Sequence, residues 1–187
     1  MTRLLDDALP AFDVTEVHDT WIPALPEVAF GAVRAVTGGE IRLLIPLMAL
    51  RTLPGLVRGR GLEIRPSLPV LESMERAGFV PLGDRPPHET ALGVIGKFWQ
   101  IDSTSTFRRF ATVDELAAFA EPGYAKAAID FRVTAEGPGS RITTETRIQG
   151  TDPEATKLFG RYWRLISLGS GVIRISWLNA IRRRVGD

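Results

Sequence analysis

The last stretch of the chain constrains the fold more than any other. Asp152 can cap a helix with its carboxylate, Pro153 suits the first helical position, and Glu154 lies in the first turn. Ala155, Phe159, Tyr162, Ile166, Gly169, Ile173, Trp177 and Ala180 then recur at helical spacing. The stripe covers about 25 residues, roughly 38 Å at ~1.5 Å per residue. A rod of that length buries its stripe only against a broad apolar surface, and the residues just before it alternate as strands do. Arg161, Arg164 and Arg174 are placed off the stripe. Leu168-Gly169-Ser170-Gly171 sits mid-helix, where each glycine costs ~1 kcal/mol relative to alanine. Two readings stay open: the rod kinks or breaks there, or the small residues make room for a ligand or an aromatic ring at Gly169. The closing run Arg182-Arg183-Arg184 is read either as a solvated end complementing the helix dipole or as a contact for anionic lipid or nucleic acid.

Residues 123–135 and 141–149 form the hairpin that feeds this helix. Ala125, Ala127, Ile129, Phe131 and Val133 share one face of the first strand; Ile142, Thr144, Thr146 and Ile148 share one face of the second. Pairing Glu136 with Arg141, Thr134 with Thr143, Arg132 with Glu145 and Asp130 with Arg147 brings both apolar faces to one side. It also makes three opposite-charge pairs, each contributing ~0.2–1 kcal/mol. That register predicts the loop Gly137-Pro138-Gly139-Ser140 and puts Glu145 and Arg147 on the solvent face as structural residues. Thr144 and Thr146 face inward, where their hydroxyls need partners: water or backbone on one reading, a cavity and its ligand on the other.

Upstream, residues 13–22 read as a first strand of imperfect alternation. Pro26-Glu27 opens a helix whose face is Ala29, Ala32, Val33 and Val36, stopped by Gly38-Gly39. A second helical stretch is expected over 40–57, bent at Pro46 and Pro54, followed by a loop over 58–66 and a short helix over 68–77 ended by Gly78. Strands are expected at 79–83, 88–101 and 106–110, with a turn at Asp84-Arg85-Pro86-Pro87. Gly93 and Gly96 inside the second of these strands signal a bulge, a bend or close approach of another group. Thr112-Val113-Asp114-Glu115 is a capping box that starts a short helix ending by Pro122.

The 187 residues suit one domain over 1–187, and 44% apolar with 24% charged residues is a globular composition. A net charge of +1 gives no argument for a nucleic-acid partner. The absence of cysteine removes disulfides and thiolate sites and accords with a cytoplasmic location. Asp6 and Asp7 fall where a signal peptide needs an apolar core. The apolar stretch 41–50 contains Arg42 and Pro46 and is about half the ~20 residues a bilayer requires, so no stable membrane insertion is expected. It is read as a buried core helix, with a pocket lid or a membrane-touching flap as alternatives. His18 and His88 lack metal-ligand spacing, and no dinucleotide, Walker or nucleophile-elbow motif occurs, so neither metal nor cofactor is expected. Ser103-Thr104-Ser105 reads as a polar loop.

The order of strand, two helices, several antiparallel strands and a long C-terminal helix resembles the helix-grip fold of the START-like (SRPBCC) superfamily, which includes polyketide cyclase/dehydrase-like proteins and pollen-allergen-type ligand carriers. The segment Ile22-Pro23-Ala24-Leu25-Pro26-Glu27-Val28-Ala29-Phe30 is similar to that family's entry into its first helix, and the Asp-Pro start of the last helix is common there. The resemblance implies an α+β fold, a curved antiparallel sheet wrapped around the long helix. It also implies a cavity between them for a hydrophobic small molecule or lipid. The alternative is a cyclase/dehydratase-type enzyme on a polyketide-like substrate in the same place. The residues expected to line it are Phe98, Phe131, Thr144, Thr146, Phe159, Tyr162, Ile166 and Gly169. An inward, buried Asp, Glu, Arg or His with a polar partner would favour the enzyme.

Overall fold

The structure is a computed structural model, described here for residues 2–41, 66–100 and 106–186. The expectations for 42–65, including most of the second helical stretch and the 58–66 loop, and for the Ser103–Ser105 loop lie outside the described residues. The elements are α1 (Leu4–Ala8), β1 (Val14–Ile22), α2 (Pro26–Ala35), α3 (Val70–Arg76), β2 (Val80–Arg85), β3 (Glu89–Gly96), α4 (Val113–Ala118), β4 (Ala125–Glu136), β5 (Gly139–Gly150) and α5 (Pro153–Val185). The strands form one curved antiparallel sheet in the order β1-β5-β4-β3-β2. The long α5 lies on its inner face across β1, β5 and β4, with α2 beside it. This is the α+β arrangement expected.

Helix α5 starts as its sequence dictates: Asp152 accepts from the N–H groups of Glu154 (2.8 Å) and Ala155 (2.9 Å). It runs unbroken through Gly169 and Gly171 to Val185, so the rod does not break there, and the glycine that a neighbour approaches is Gly171, beside Glu16. Its C-terminal half closes the main core, where Trp177, Leu178 and Ile181 meet Ile129, Phe131, Val133, Ile142 and the α2 face Ala29, Phe30, Val33 and Val36. The basic end is tied down as well. Arg184 holds Glu40 through two 3.0 Å bonds and Arg183 donates to the Glu40 carbonyl at 2.9 Å. The Arg184 guanidinium takes the Glu40 carboxyl down to about 2. Glu40 therefore contributes stability above its unfolded value of 4.5, and that contribution is lost as pH falls toward 2.

The hairpin register differs from the one the charges suggested. Asp130 pairs with Glu145, Arg132 with Thr143, and Thr134 with Arg141, a slip of two residues that leaves the loop as Gly137-Pro138. Gly137 has φ +58°, and proline at the next position cannot adopt positive φ, so the turn is of the II′ kind that matches strand twist. A slip of two preserves which face each side chain occupies, so Phe131, Thr144 and Thr146 still face α5. Two of the expected charge pairs form diagonally instead of directly across: Arg141 with Glu136 at 2.8 Å and Arg132 with Glu145 at 3.3 Å.

The face expected to meet solvent is covered. Leu4, Leu5 and Ala8 of α1, with Leu9, pack with Leu82, Ala91, Ile95, Leu116 and Ala128 into a second core on the outer side of the sheet. Glu145 (6% exposed) and Arg147 (5%) are buried beneath it, which corrects their assignment to the solvent face. Arg147 donates to Glu145 at 2.6 Å and to the Leu9 carbonyl at 3.2 Å, and pairs with Asp6 at 2.7 Å; Arg3 joins Glu145 from the other side. The Leu4 N–H donates to buried Glu89 at 2.9 Å. Each leucine of α1 contributes about 1.5–3 kcal/mol on burial, which offsets the cost of dehydrating these charges.

Asp130, with no exposed surface, lies in the same network. Its Oδ1 accepts from the Glu145 N–H at 2.9 Å, while the Arg132 Nε stands 3.0 Å from Oδ2 without hydrogen-bond alignment. Burial pushes its carboxyl up to about 6, against the pull of Arg132 and Arg3. The folded value lies above the unfolded 3.8, so the native state binds this proton more tightly. Its favourable contribution is complete below about pH 4 and is lost as pH rises through about 6. Asp130→Asn is therefore expected to flatten the stability profile between those limits, read by urea unfolding at several pH values. A profile identical to that of the parent would mean that the carboxyl stays ionised throughout.

Two strand expectations need adjustment. β3 ends at Gly96 instead of 101, and the expected strand at 106–110 is reduced to a single bridge, Ile95 to Arg108. Phe107 explains both the break and Gly96. Its ring occupies the space a Cβ on Gly96 would need, with ring atoms 2.7 and 2.9 Å from that position, and sits edge-on to Phe79 and Phe98. Gly93 likewise admits Leu116 and Leu82. The strand glycines thus mark close approach, one of the alternatives left open. The capping box forms with a variation. Glu115 N–H donates to Thr112 Oγ1 at 3.1 Å, but the Glu115 carboxylate reaches the Ala111 N–H at 2.7 Å.

Candidate functional site

Where α5 crosses β1 and β5, the helix stops being buried. Residues 160–175 are all half-buried or exposed, although Ala155 and Phe159 before them and Ser176, Trp177 and Leu178 after them are buried. Polar side chains gather beneath this open middle. β1 pairs Glu16 with Thr146 and His18 with Thr144, so Glu16 and His18 stand on the helix-facing side of the sheet. Glu16 Oε2 accepts from the Ser170 hydroxyl at 2.8 Å, and its Oε1 lies 2.9 Å from His18 Nε2. Gly171 makes this approach possible: a Cβ there would stand 3.0 Å from Glu16 Oε1 and 3.6 Å from the His18 ring.

Arg174 completes the cluster. Its Nη2 donates to Thr146 Oγ1 at 2.8 Å, and its guanidinium lies 5.7 Å from the centre of the Trp177 ring. Burial takes it down to about 10, against the attraction of Glu16 and Asp130. Arg174 was expected off the helix stripe; it faces the sheet because the contact side extends round the helix to Ser170 and Gly171, above the polar side of β1. Two donors here are buried with no hydrogen-bond acceptor among the described residues, Arg174 Nη1 and the indole Nε1 of Trp177.

The sequence-selected residues divide into groups. Phe159 packs edge-on against Phe98 (6.2 Å) and Tyr162 (6.0 Å) and stacks with Trp163 (5.9 Å) at the N-terminal end of the cluster. Phe131 lies at the other end, 4.7 Å from Trp177. Thr146 sits between them as the partner of Arg174. The buried Thr144 hydroxyl is committed to the Asp130 carbonyl at 2.8 Å, which is the backbone partner anticipated as one alternative. Ile166 and Gly169 lie on the half-open flank, and a Cβ on Gly169 would touch nothing within 4 Å among the described residues.

Glu16, His18, Ser170 and Arg174 were not singled out as site residues. The signal was present in β1, where Glu16, His18 and Thr20 alternate with Val17, Asp19 and Trp21. The polar set faces the helix, and Val17 and Trp21 are exposed on the other side. Elsewhere, a depression of about 270 Å³ lined by Gly39, Glu40, Ala180, Arg183 and Arg184 belongs to the helix end, where Glu40 holds both arginines. Among the described residues, no three His, Asp or Glu side chains converge as metal ligands.

No protein-family model and no curated protein matches the chain. Among solved structures, TTHA0849 from Thermus thermophilus is similar at 13% identity and a TM-score of 0.33, over 92% of this chain and 97% of that one. Ara h 8.0201 is similar at 11% identity and a TM-score of 0.28, over the same shares. Likenesses of this size leave the family unassigned.

Proposed function

We propose that the protein binds an apolar small molecule or lipid between the middle of α5 and the sheet, and that the ligand presents an oxygen acceptor to Arg174 and Trp177. The observation that carries this reading is the pair of buried donors one helical turn apart, Arg174 Nη1 and Trp177 Nε1, without acceptors among the described residues. Leaving such a donor unpaired costs about 1–3 kcal/mol, which a ligand carbonyl or carboxylate would recover. The aromatic groups around Phe159 and Phe131 supply apolar walls on either side.

Native mass spectrometry of the purified protein is expected to show a co-purified apolar molecule. A fluorescent fatty acid serves as the solution probe. Arg174→Met keeps the apolar stem, removes the unpaired donor, and is expected to weaken the probe by roughly tenfold or more. The variant should fold at least as stably, because it no longer buries a charge. A clean apo mass together with no probe binding would refute the reading.

One observation favours the enzymatic alternative: Glu16 and His18 are inward and hydrogen-bonded, a carboxylate–imidazole pair suited to moving a proton. On that reading the bound molecule would leave the wild-type protein chemically changed, for a dehydratase by the mass of one water. His18→Ala would return it intact. A ligand recovered unchanged from both proteins would exclude it.

A further inference from the structure

We infer that the outer side of α5 is a docking surface for an anionic lipid bilayer. Leu165 (82% exposed), Leu168 (85%), Val172 (41%) and Ile175 (51%) follow one another at spacings of three and four residues. They lie on the side of the helix opposite Ser170, Arg174 and Trp177, and form an apolar ridge roughly 15 Å long at ~1.5 Å per residue. Isolated exposed apolar residues are ordinary, but four in register on one helix face are a patch.

The charges beside this ridge select the partner. Lys157, Arg161 and Arg164 are exposed on the same side, and no described carboxylate pairs with them. The helix holds no Asp or Glu after Glu154. A second copy of the chain is a poor fit. Antiparallel packing would set these cations against Asn179 and Arg182, parallel packing would set them against themselves, and neither arrangement brings a carboxylate of α5 against Arg161 or Arg164. A membrane with anionic headgroups satisfies both features. The ridge enters the headgroup–acyl boundary while the long basic side chains reach outward to phosphates. Among the described residues no helix is long and apolar enough to cross a membrane, so the contact is peripheral. It uses the side of α5 turned away from the interior cluster and does not depend on a ligand there.

The test is co-sedimentation of the full chain with vesicles of phosphatidylcholine alone and of a phosphatidylcholine–phosphatidylserine mixture, at low and high salt. The protein is expected to pellet with the mixed vesicles at low salt, to be released by high salt, and to stay in solution with phosphatidylcholine alone. Leu165→Asn combined with Leu168→Asn should weaken binding at least about tenfold, and Arg161→Gln and Arg164→Gln about fivefold each. All four positions are exposed, and circular dichroism verifies that the variants fold. Arg174→Met should bind vesicles as the parent does, which separates a failure here from a failure of the interior site. The inference is overturned if the parent does not pellet with mixed vesicles, or if the leucine and arginine variants bind as tightly as the parent. It is equally overturned if the ridge instead drives self-association without vesicle binding.

Discussion

Replacing Glu145 with alanine is expected to destabilise the protein by about 3–5 kcal/mol, the range for breaking a buried ion pair from one side. Glu145 is the meeting point for Arg147 at 2.6 Å, Arg132 at 3.3 Å and Arg3. Its own carboxyl is held below the usual range: burial opposes ionisation, and the bonds from Arg147 and Arg3 outweigh it. Without it, Arg147, whose side chain is 6% exposed, keeps among the described residues only Asp6 and the Leu9 carbonyl as polar partners. Helix α1 also loses its anchor through Arg3. Urea unfolding measures the loss, and hydrogen exchange of the amides of Leu4 to Leu9 shows whether α1 loosens first. Adding Arg147→Met to Glu145→Ala should recover part of the stability, because the second change removes the stranded charge. A loss below about 1 kcal/mol for Glu145→Ala would mean that α1 does not cover this face in solution.

Trp177→Ala is expected to cost about 3–5 kcal/mol by leaving a cavity at the contact between α5 and the sheet. The indole is 3% exposed, lies 4.7 Å from the buried Phe131 ring and supports the Arg174 guanidinium. Trp177→Phe separates packing from donation. It retains most of the volume, should cost less than about 1.5 kcal/mol, and removes the buried N–H that has no acceptor among the described residues. If that N–H serves a ligand, Trp177→Phe weakens the fatty-acid probe more than it lowers the melting temperature. Equal proportional losses in both would assign the indole to packing alone.

The two substitutions probe the parts of the molecule that were least and most legible in the sequence. The α5 contact was evident from Asp152, Pro153 and the recurrence from Ala155 to Ala180, because capping and helical periodicity act within a few residues. The facing of Phe131, Thr144 and Thr146 followed from strand alternation, which survived the slip in register. The outer core was missed although Leu4, Leu5, Ala8 and Leu9 carry a helical pattern. A short apolar segment at a chain terminus does not declare which distant surface it will cover. With α1 in place, charges that looked like a solvated ladder became a buried network, in which Asp6 and Arg3 near the start of the chain pair with Arg147 and Glu145 of β5.

The site followed the same division. Phe98, Phe159 and Tyr162 could be chosen by type and position, and they gather as neighbours. Glu16 and His18 could not, since a polar residue on an edge strand is ordinary until a helix more than a hundred residues later passes over it. The sequence alone determined most of the helices and strands, α2, α5 and the β4–β5 hairpin above all, and the inward side of that hairpin, because those preferences arise from local backbone geometry and side-chain periodicity. Tertiary structure decided the hairpin register, the cover over the outer face and the meeting of Glu16, His18, Ser170 and Arg174. Those outcomes depend on burial and charge pairing between segments whose separation along the chain carries no information about their separation in space.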